Sequence, residues 1–358
     1  MRSIINKYLA REVFYALLAV IAVLLFILLS NQFARVLGDA AAGKLPREAV
    51  LQIIGLTSIT YLTVLVPVGF FLAVMLALGR LFMDSEMAAI NACGVGPIGV
   101  YKPIAIISIG LTILLAWLSL FAAPWAAAQA HEITETSKQQ AGLAALEPGR
   151  FRSDNGVVFY AESASDDGVL QNVFLQRRRG DAIELAVAET GEVLKDADET
   201  LVVLRNGRRY EGVPGTLGFR IVQFAEHGMP VGRRDGPARP PDREAAGTLQ
   251  LLRSSSLADA AELHWRMSAP ISAILLGLLA VPLARTRPRQ GRYGKLAIGV
   301  AVYLVYANLL GAAQVWIQQG QLPPALGMWP VHGLFAVAAA YLFWRELRLR
   351  KPQQKKNP

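Results

Sequence analysis

Residues 84–95 read Asp84-Ser85-Glu86-Met87-Ala88-Ala89-Ile90-Asn91-Ala92-Cys93-Gly94-Val95. The stretch lies between two long apolar segments, each able to cross a membrane, and it reads as a small helix. Asp84 can serve as N-cap, Ser85 and Glu86 put polar and negative groups at the positive helix end, and Gly94 followed by Gly96-Pro97 stops it. About two turns remain. A helix that short is marginal in water, so its shape has to be imposed by the flanking helices and by something it docks against. Met83, Met87 and Ile90 recur at helical spacing on one side, while Glu86 and Asn91 fall elsewhere on the wheel. The expectation is a small docking surface, set against the plainer reading of a solvated connector.

Outward from this stretch, the composition supports a membrane protein. The chain has 358 residues, 53% hydrophobic and 18% charged, which no single soluble domain of ordinary type shows. The formal charge of +9 is not gathered in one patch; basic residues cluster at the ends of apolar runs, so membrane topology explains them better than nucleic acid. Cys93 is the only cysteine, which excludes an intrachain disulfide and weighs against zinc.

Before the docking stretch, Arg2, Lys7 and Arg11 precede an apolar run from Val13 to Ser30, too long for a signal-peptide core and read as a retained first span. Arg35 sits just beyond its far end. Ala49 to Leu78 is a second span, with Pro67 expected to kink it. After the docking stretch, Ile104 to Ala123 is a third, with Pro124-Trp125 expected as its interfacial stop.

Ala126 to Glu147 reads as a polar helical stalk. Beyond about Gly149, helical periodicity gives way to alternation. Strands are expected at Val157–Ala161, Val169–Gln176, Ile183–Ala188, Thr200–Arg205, Arg209–Val213 and Leu217–Phe224, with hairpins at Asp167-Gly168 and Asn206-Gly207. Several antiparallel strands without intervening helices suggest a sandwich or jelly roll. Glu226 to Gly247 reads as a mobile loop.

Ser256 with Asp259 resembles a capping box opening a helix into the fourth span, about Met267 to Leu283, where Ala269, Ala273 and Gly277 form a stripe suited to close packing. Arg285, Arg287, Arg289, Arg292 and Lys295 follow and place that loop in the cytoplasm. A fifth span, about Leu296 to Trp316, carries Asn308 and Gln314, expected to bond between helices; Met328 to Trp344 is the sixth. The fold class expected is an α-helical membrane protein of about six transmembrane helices with an inserted all-β, jelly-roll-like domain. Its parts are residues 1–125, the insert 126–262, and 263–358.

No phosphate-binding G-x-x-x-x-G-K-[ST] occurs, so the chain is not expected to hydrolyse ATP. After His131-Glu132, Glu135 stands where a metalloprotease needs histidine, so no metal is expected, and His227, His264 and His332 read as interfacial or loop packing. Span interiors carry almost no ionisable residues, which disfavours ion-coupled transport. The sequence describes a membrane body without an engine, and the docking helix is where one could push.

That combination resembles an ABC-transporter permease, and particular segments match a narrower family. SEMAAINACG at 85–94, APW at 123–125, LAALEPGRF at 143–151, RYEG at 209–212, AELHWRM at 261–267, and VPL with PRQGR within 281–292 are similar to the lipopolysaccharide-export permeases of the YjgP/YjgQ (LptF/LptG) family. PRQGR and NACG lie nearer its LptF branch. Some members have histidine where Asn91 stands. The resemblance implies a half-transporter in the bacterial inner membrane with its β domain in the periplasm. It would pair with an LptG-like permease, draw on ATP through an LptB-like ATPase without a cofactor of its own, and pass lipopolysaccharide toward an LptC-like periplasmic protein. Asp84, Ser85, Glu86, Met87, Ile90 and Asn91 would then couple to the ATPase. Arg35, with Gln32 in the same QFARVLG segment, would act where lipid enters, the guanidinium gripping a phosphate; the plainer role is an arginine that snorkels to headgroups. A competing reading is a membrane sensor or assembly factor whose β domain binds a ligand. A lipid-modifying enzyme would need a nucleophile or acid–base pair that the sequence does not display.

Overall fold

The computed structural model describes residues 2–41, 45–144, 149, 151–154, 157–165, 169–179, 182–195, 200–213, 218, 220–230, 243–285 and 292–348. The chain forms two compact units, one of residues 1–39, 47–133 and 241–358, the other of 40–46 and 134–240.

The first unit is helical. Its elements are α1 (Arg2–Ala41), α2 (Arg47–Met83), α3 (Glu86–Ala92), α4 (Pro97–Trp117), a π turn (Leu118–Ala122), α5 (Ala123–Ala144, which runs on into the second unit), a 3-10 turn (Arg243–Ala245), α6 (Thr248–Arg253), α7 (Leu257–Leu283), α8 (Arg292–Gln318) and α9 (Trp329–Arg348). Among the described residues, five helical stretches are long and apolar enough to cross a membrane: 4–41, 48–83, 97–137, 257–283 and 294–318. The expected sixth span is the helix α9, of 20 residues, whose apolar run is cut by His332 near its start and Arg345-Glu346 at its end.

Packing centres on α7. Leu276, Leu279 and Ala280 are almost fully buried in one cluster with Phe70, Phe71, Val74 and Leu78 of α2 and Ile104 of α4. At Gly277 a Cβ would lie 2.4 Å from Phe70 Cε1 and 2.7 Å from Ser108 Oγ, so the small-residue stripe does bring α2, α4 and α7 together. Three helices are also tied by buried polar groups: Ser272 Oγ lies 2.8 Å from the Tyr306 hydroxyl, which is 2.9 Å from His332 Nδ1, while Ser268 Oγ is 3.1 Å from His332 Nε2. His332, in the first turn of α9, is therefore packed among helices and is not in a loop. Lipid offers no hydrogen-bond partners, so these groups must find one another. Asn308, expected to reach another helix, donates back to the Leu304 carbonyl of its own turn at 2.7 Å.

Pro124-Trp125 does not end the third span. Helix continues through the π turn into α5, because a proline near the start of a renewed helix loses little. What Pro124 cannot supply is a donor for the Leu120 carbonyl, and Thr248 Oγ1 donates there instead, at 2.5 Å. The capping box at α7 is likewise not made. Ser256 occupies the N-cap position without a side-chain bond, and Asp259 instead accepts from Ser254 Oγ at 2.5 Å and pairs with Arg243 at 3.3 Å. The expected mobile loop is partly ordered: Glu226 to Pro230 belongs to a strand, and residues 243–246 are held by Arg266.

The second unit is the expected all-β insert: β1 (Arg152–Asp154), β2 (Val157–Tyr160), β3 (Ser163–Ala164), β4 (Leu170–Arg179), β5 (Ala182–Lys195), β6 (Thr200–Gly212) and β7 (Arg220–Pro230). The described strands form one antiparallel sheet in the order β1-β2-β4-β5-β6-β7, with β3 on β4. Asp167-Gly168 lies outside the described residues. Asn206-Gly207 is not a hairpin but the middle of β6: Asn206 alone takes a left-handed φ of 53°, whereas a two-residue type I′ turn needs two such residues. A Cβ on Gly207 would sit 2.6 Å from the Val187 carbonyl, so the strand passes too close for any other residue.

Asn206 stands in a row. The register places it opposite Glu189, which is opposite Asn172, and Asn172 is also left-handed at φ 51°. Across this row the buried positions change parity: Leu170 before it and Val173 and Leu175 after it, Ala186 and Ala188 before it and Gly191 after it, Val202 and Leu204 before it and Gly207 after it. The sheet is creased there, and both halves keep one face on a shared core of Phe159, Val173, Leu175, Ala186, Leu204 and Met229.

Candidate functional site

The sequence singled out two groups of residues, and the structure sets them at opposite ends of α1. Tyr8, beside one group, and Arg35, in the other, are 27 positions apart, about 40 Å of helix.

At the first end, α3 begins at Glu86, not at Asp84. The Asp84 N–H still bonds the Arg80 carbonyl at 2.9 Å, so Asp84 finishes α2, and Ser85 occupies the N-cap position with φ 59° and no side-chain cap. The far end follows the expected glycine stop: Gly94 (φ 80°) donates to Asn91 O at 3.0 Å and Val95 to Ile90 O at 3.4 Å, the paired bonds of a Schellman motif.

Met87, expected on the docking surface, is 2% exposed and belongs to the core cluster with Leu9, Val13, Leu78 and Leu81; Ile90 packs against that cluster. These apolar residues dock α3 onto its own protein, leaving Asp84, Ser85, Ala88, Ala89, Ala92 and Cys93 exposed, and Asn91 half-buried. Glu86 turns sideways: the Tyr8 hydroxyl donates to Glu86 Oε2 at 2.6 Å. Arg80 reaches the same hydroxyl at 3.5 Å and pairs with Glu12 at 3.0 Å. The start of α1, the end of α2 and α3 are thereby one hydrogen-bonded corner, to which sequence reasoning supplied only Glu86. Tyr8 and Arg80 are distant in the chain, and no local pattern links them.

At the second end, Arg35 is exposed and donates to the Tyr61 hydroxyl at 3.3 Å; that hydroxyl donates to Gln32 Oε1 at 3.1 Å. The structure thus brings both expected residues together through a third, from α2, that the sequence did not flag. A tyrosine shared between them holds the guanidinium on one side, and no other bond to its five donors is made among the described residues.

In the insert, the core face changes from apolar to ionic toward one end. Arg177, Glu184, Glu211 and Arg220 stand opposite one another on neighbouring strands. Glu184, 7% exposed, receives Arg177 at 2.8 Å and Arg209 at 2.9 Å. Arg209 also meets His227 at 3.5 Å. Burial, and then the Arg209 charge, push the His227 imidazole below its ordinary range, so it is neutral at pH 7.

A family model described as lipopolysaccharide export system permease LptF/LptG matches residues 7–345. The chain is 29% identical over 355 residues to "Lipopolysaccharide export system permease protein LptF" of Escherichia coli K12, covering 97% of each protein. The protein of the same name from Shigella flexneri gives the same figures.

Proposed function

Because the chain belongs to the lipopolysaccharide export system permease LptF/LptG family, we propose that it is one half of an ABC transporter that extracts lipopolysaccharide from the inner membrane and hands it to a periplasmic bridge. The observation that carries the ABC reading is α3. A helix of seven residues, pinned to the membrane body by Met87 and held at Glu86 by Tyr8, moves only with that body. Its exposed face, of small residues with Asp84 and Ser85, suits insertion into a groove on an LptB-like ATPase.

The other partners follow from exposed apolar surface. The most apolar windows of α1 and α8 are only 11% and 22% buried, against 67% for α2, which supports an LptG-like permease seated along α1 and α8. Arg35, steadied by Tyr61, would take the phosphate of an arriving lipid by paired, charge-assisted bonds. The apolar core face of the insert would shelter acyl chains, and its outermost described strand, β7, has a free edge where an LptC-like β protein can add a strand. On this reading both termini and α3 are cytoplasmic and the insert periplasmic.

Co-expression with a second permease and the ATPase, purification, and reconstitution in proteoliposomes test the reading. ATP-dependent release of lipopolysaccharide to a periplasmic acceptor supports it. Failure to co-purify with an ATPase overturns it and favours the sensor.

A further inference from the structure

The chain leaves the membrane body for the insert through α4, the π turn and α5, and returns through the 3-10 turn, α6 and α7. One side chain on the return path, Arg266, is 4% exposed although it is charged. Its guanidinium bonds Glu262 Oε1 at 2.9 Å, Thr248 Oγ1 at 3.0 Å and the carbonyls of Ala246, Arg243 and Glu244 at 2.9, 3.0 and 3.1 Å. All but the first are on residues 243–248, ahead of α7.

The backbone of the same residue is tied to the outgoing path. Pro270, four positions on, has no N–H, so the Arg266 carbonyl lacks its helical donor, and Ser119 Oγ in the π turn donates to it at 2.9 Å. The π turn is met in the same way: Pro124, four positions after Leu120, has no N–H to offer its carbonyl, and Thr248 Oγ1 donates there. A proline thus stands four positions after one carbonyl on each path, and a hydroxyl from the other path donates to each carbonyl. The ring closes through Arg266 to Thr248 to Leu120, and Ser119 to Arg266.

A structural clamp for folding alone would not need a π turn, a rare form of helix, at the point it grips; such turns recur at functional sites. We propose that Arg266 is the positioning residue of a joint that makes the outgoing and returning paths move together, so that displacement of α7 in the membrane body is delivered to the β insert. This rests on the export reading for its purpose but not for its mechanics.

The test uses the assembled transporter in nanodiscs, with Cys93→Ser and spin labels at Ser163 in β3 and Gln319 beyond α8, both exposed. Pulsed EPR distance distributions are recorded without nucleotide or lipid. Thr248→Val and Ser119→Ala, which leave the buried charge pair intact, should each broaden the distribution about twofold, and Arg266→Gln more, whereas Thr248→Ser should keep wild-type width. In the transport assay the broadened variants should hydrolyse ATP at wild-type rate yet deliver at least fivefold less lipopolysaccharide per ATP. Wild-type width in both Thr248→Val and Ser119→Ala overturns the joint, as does a Thr248→Ser as broad as Thr248→Val. A wild-type complex that moves no lipopolysaccharide overturns the export reading and leaves the distance result standing.

Discussion

The Tyr8 hydroxyl donates to Glu86 Oε2 at 2.6 Å, joining residues 78 positions apart across the corner where α1, α2 and α3 meet. A hydrogen bond to a carboxylate contributes about 1.5–3 kcal/mol, enough to fix a two-turn helix that has no side-chain N-cap. Tyr8→Phe should therefore weaken ATPase association several-fold while leaving the protein in the membrane. Glu86→Gln, which keeps an acceptor, should be milder, and Glu86→Lys, which faces Arg80 with a second cation, should abolish coupling. Co-purification ratios in detergent check the order, and wild-type ATPase binding by Glu86→Lys would remove α3 from the coupling surface.

Arg35 and Gln32 share Tyr61, and the two roles for Arg35 part on charge reversal. Substrate capture expects Arg35→Asp to yield an assembled, ATP-hydrolysing complex that photocrosslinks lipopolysaccharide at least tenfold less, with Arg35→Lys intermediate because an ammonium lacks the planar fork. Tyr61→Phe should lower crosslinking about threefold. Normal crosslinking by an assembled Arg35→Asp complex rules out capture.

Gly277 faces Phe70 and Ser108 with no room for a methyl group. Gly277→Ala should cost about 1–3 kcal/mol, because the obstructing atoms are a ring and a hydroxyl that are themselves packed. A lowered midpoint of thermal unfolding in detergent is expected, and an unchanged midpoint would show that α2 and α7 can separate freely there.

His227 has its pKa lowered in the folded protein, so between the folded and unfolded values the unfolded chain binds more protons and stability falls as pH falls. The loss begins below about 6.5, the ordinary histidine value, and His227→Gln should reduce it. Thermal midpoints of the full-length protein at pH 7.5 and pH 5.5 check the sign. Equal acid sensitivity in wild type and His227→Gln would assign the effect to other groups.

Glu184 balances Arg177 and Arg209 on the core face of the insert. Glu184→Ala leaves both arginines facing each other across β5 without their shared carboxylate, and removing one partner of a buried ion pair costs about 3–5 kcal/mol; the arginines are roughly a quarter exposed, so the lower figure applies. Limited proteolysis should cut the insert first. Double replacement with Arg209→Met should restore part of the resistance, and a single variant as resistant as wild type would make the ionic row dispensable.

Much of this protein is legible in one dimension. Lengths of apolar runs located the membrane helices, because a bilayer of given thickness demands a given number of turns, and alternation located the β strands, because successive side chains of a strand face opposite ways. The small stripe through Gly277 and the glycine stop at Gly94 were equally local. Asn206-Gly207 misled for a local reason too: the residues suited a turn, but one left-handed residue creased a strand, and only its alignment, through Glu189 of β5, with Asn172 two strands away shows why.

What the sequence determined by itself, then, is the kind of elements in each part of the chain and, through its motifs, the family; each depends on a residue and its near neighbours. Tertiary structure alone decided that Met87 faces inward, that Tyr8 holds Glu86, that Tyr61 joins Arg35 to Gln32, and that Ser119 serves a carbonyl 147 positions away. The physical reason is that a polar group in an apolar surrounding bonds to whatever partner packing brings near. Packing in turn is settled by the fit of whole helix faces, which no single segment encodes.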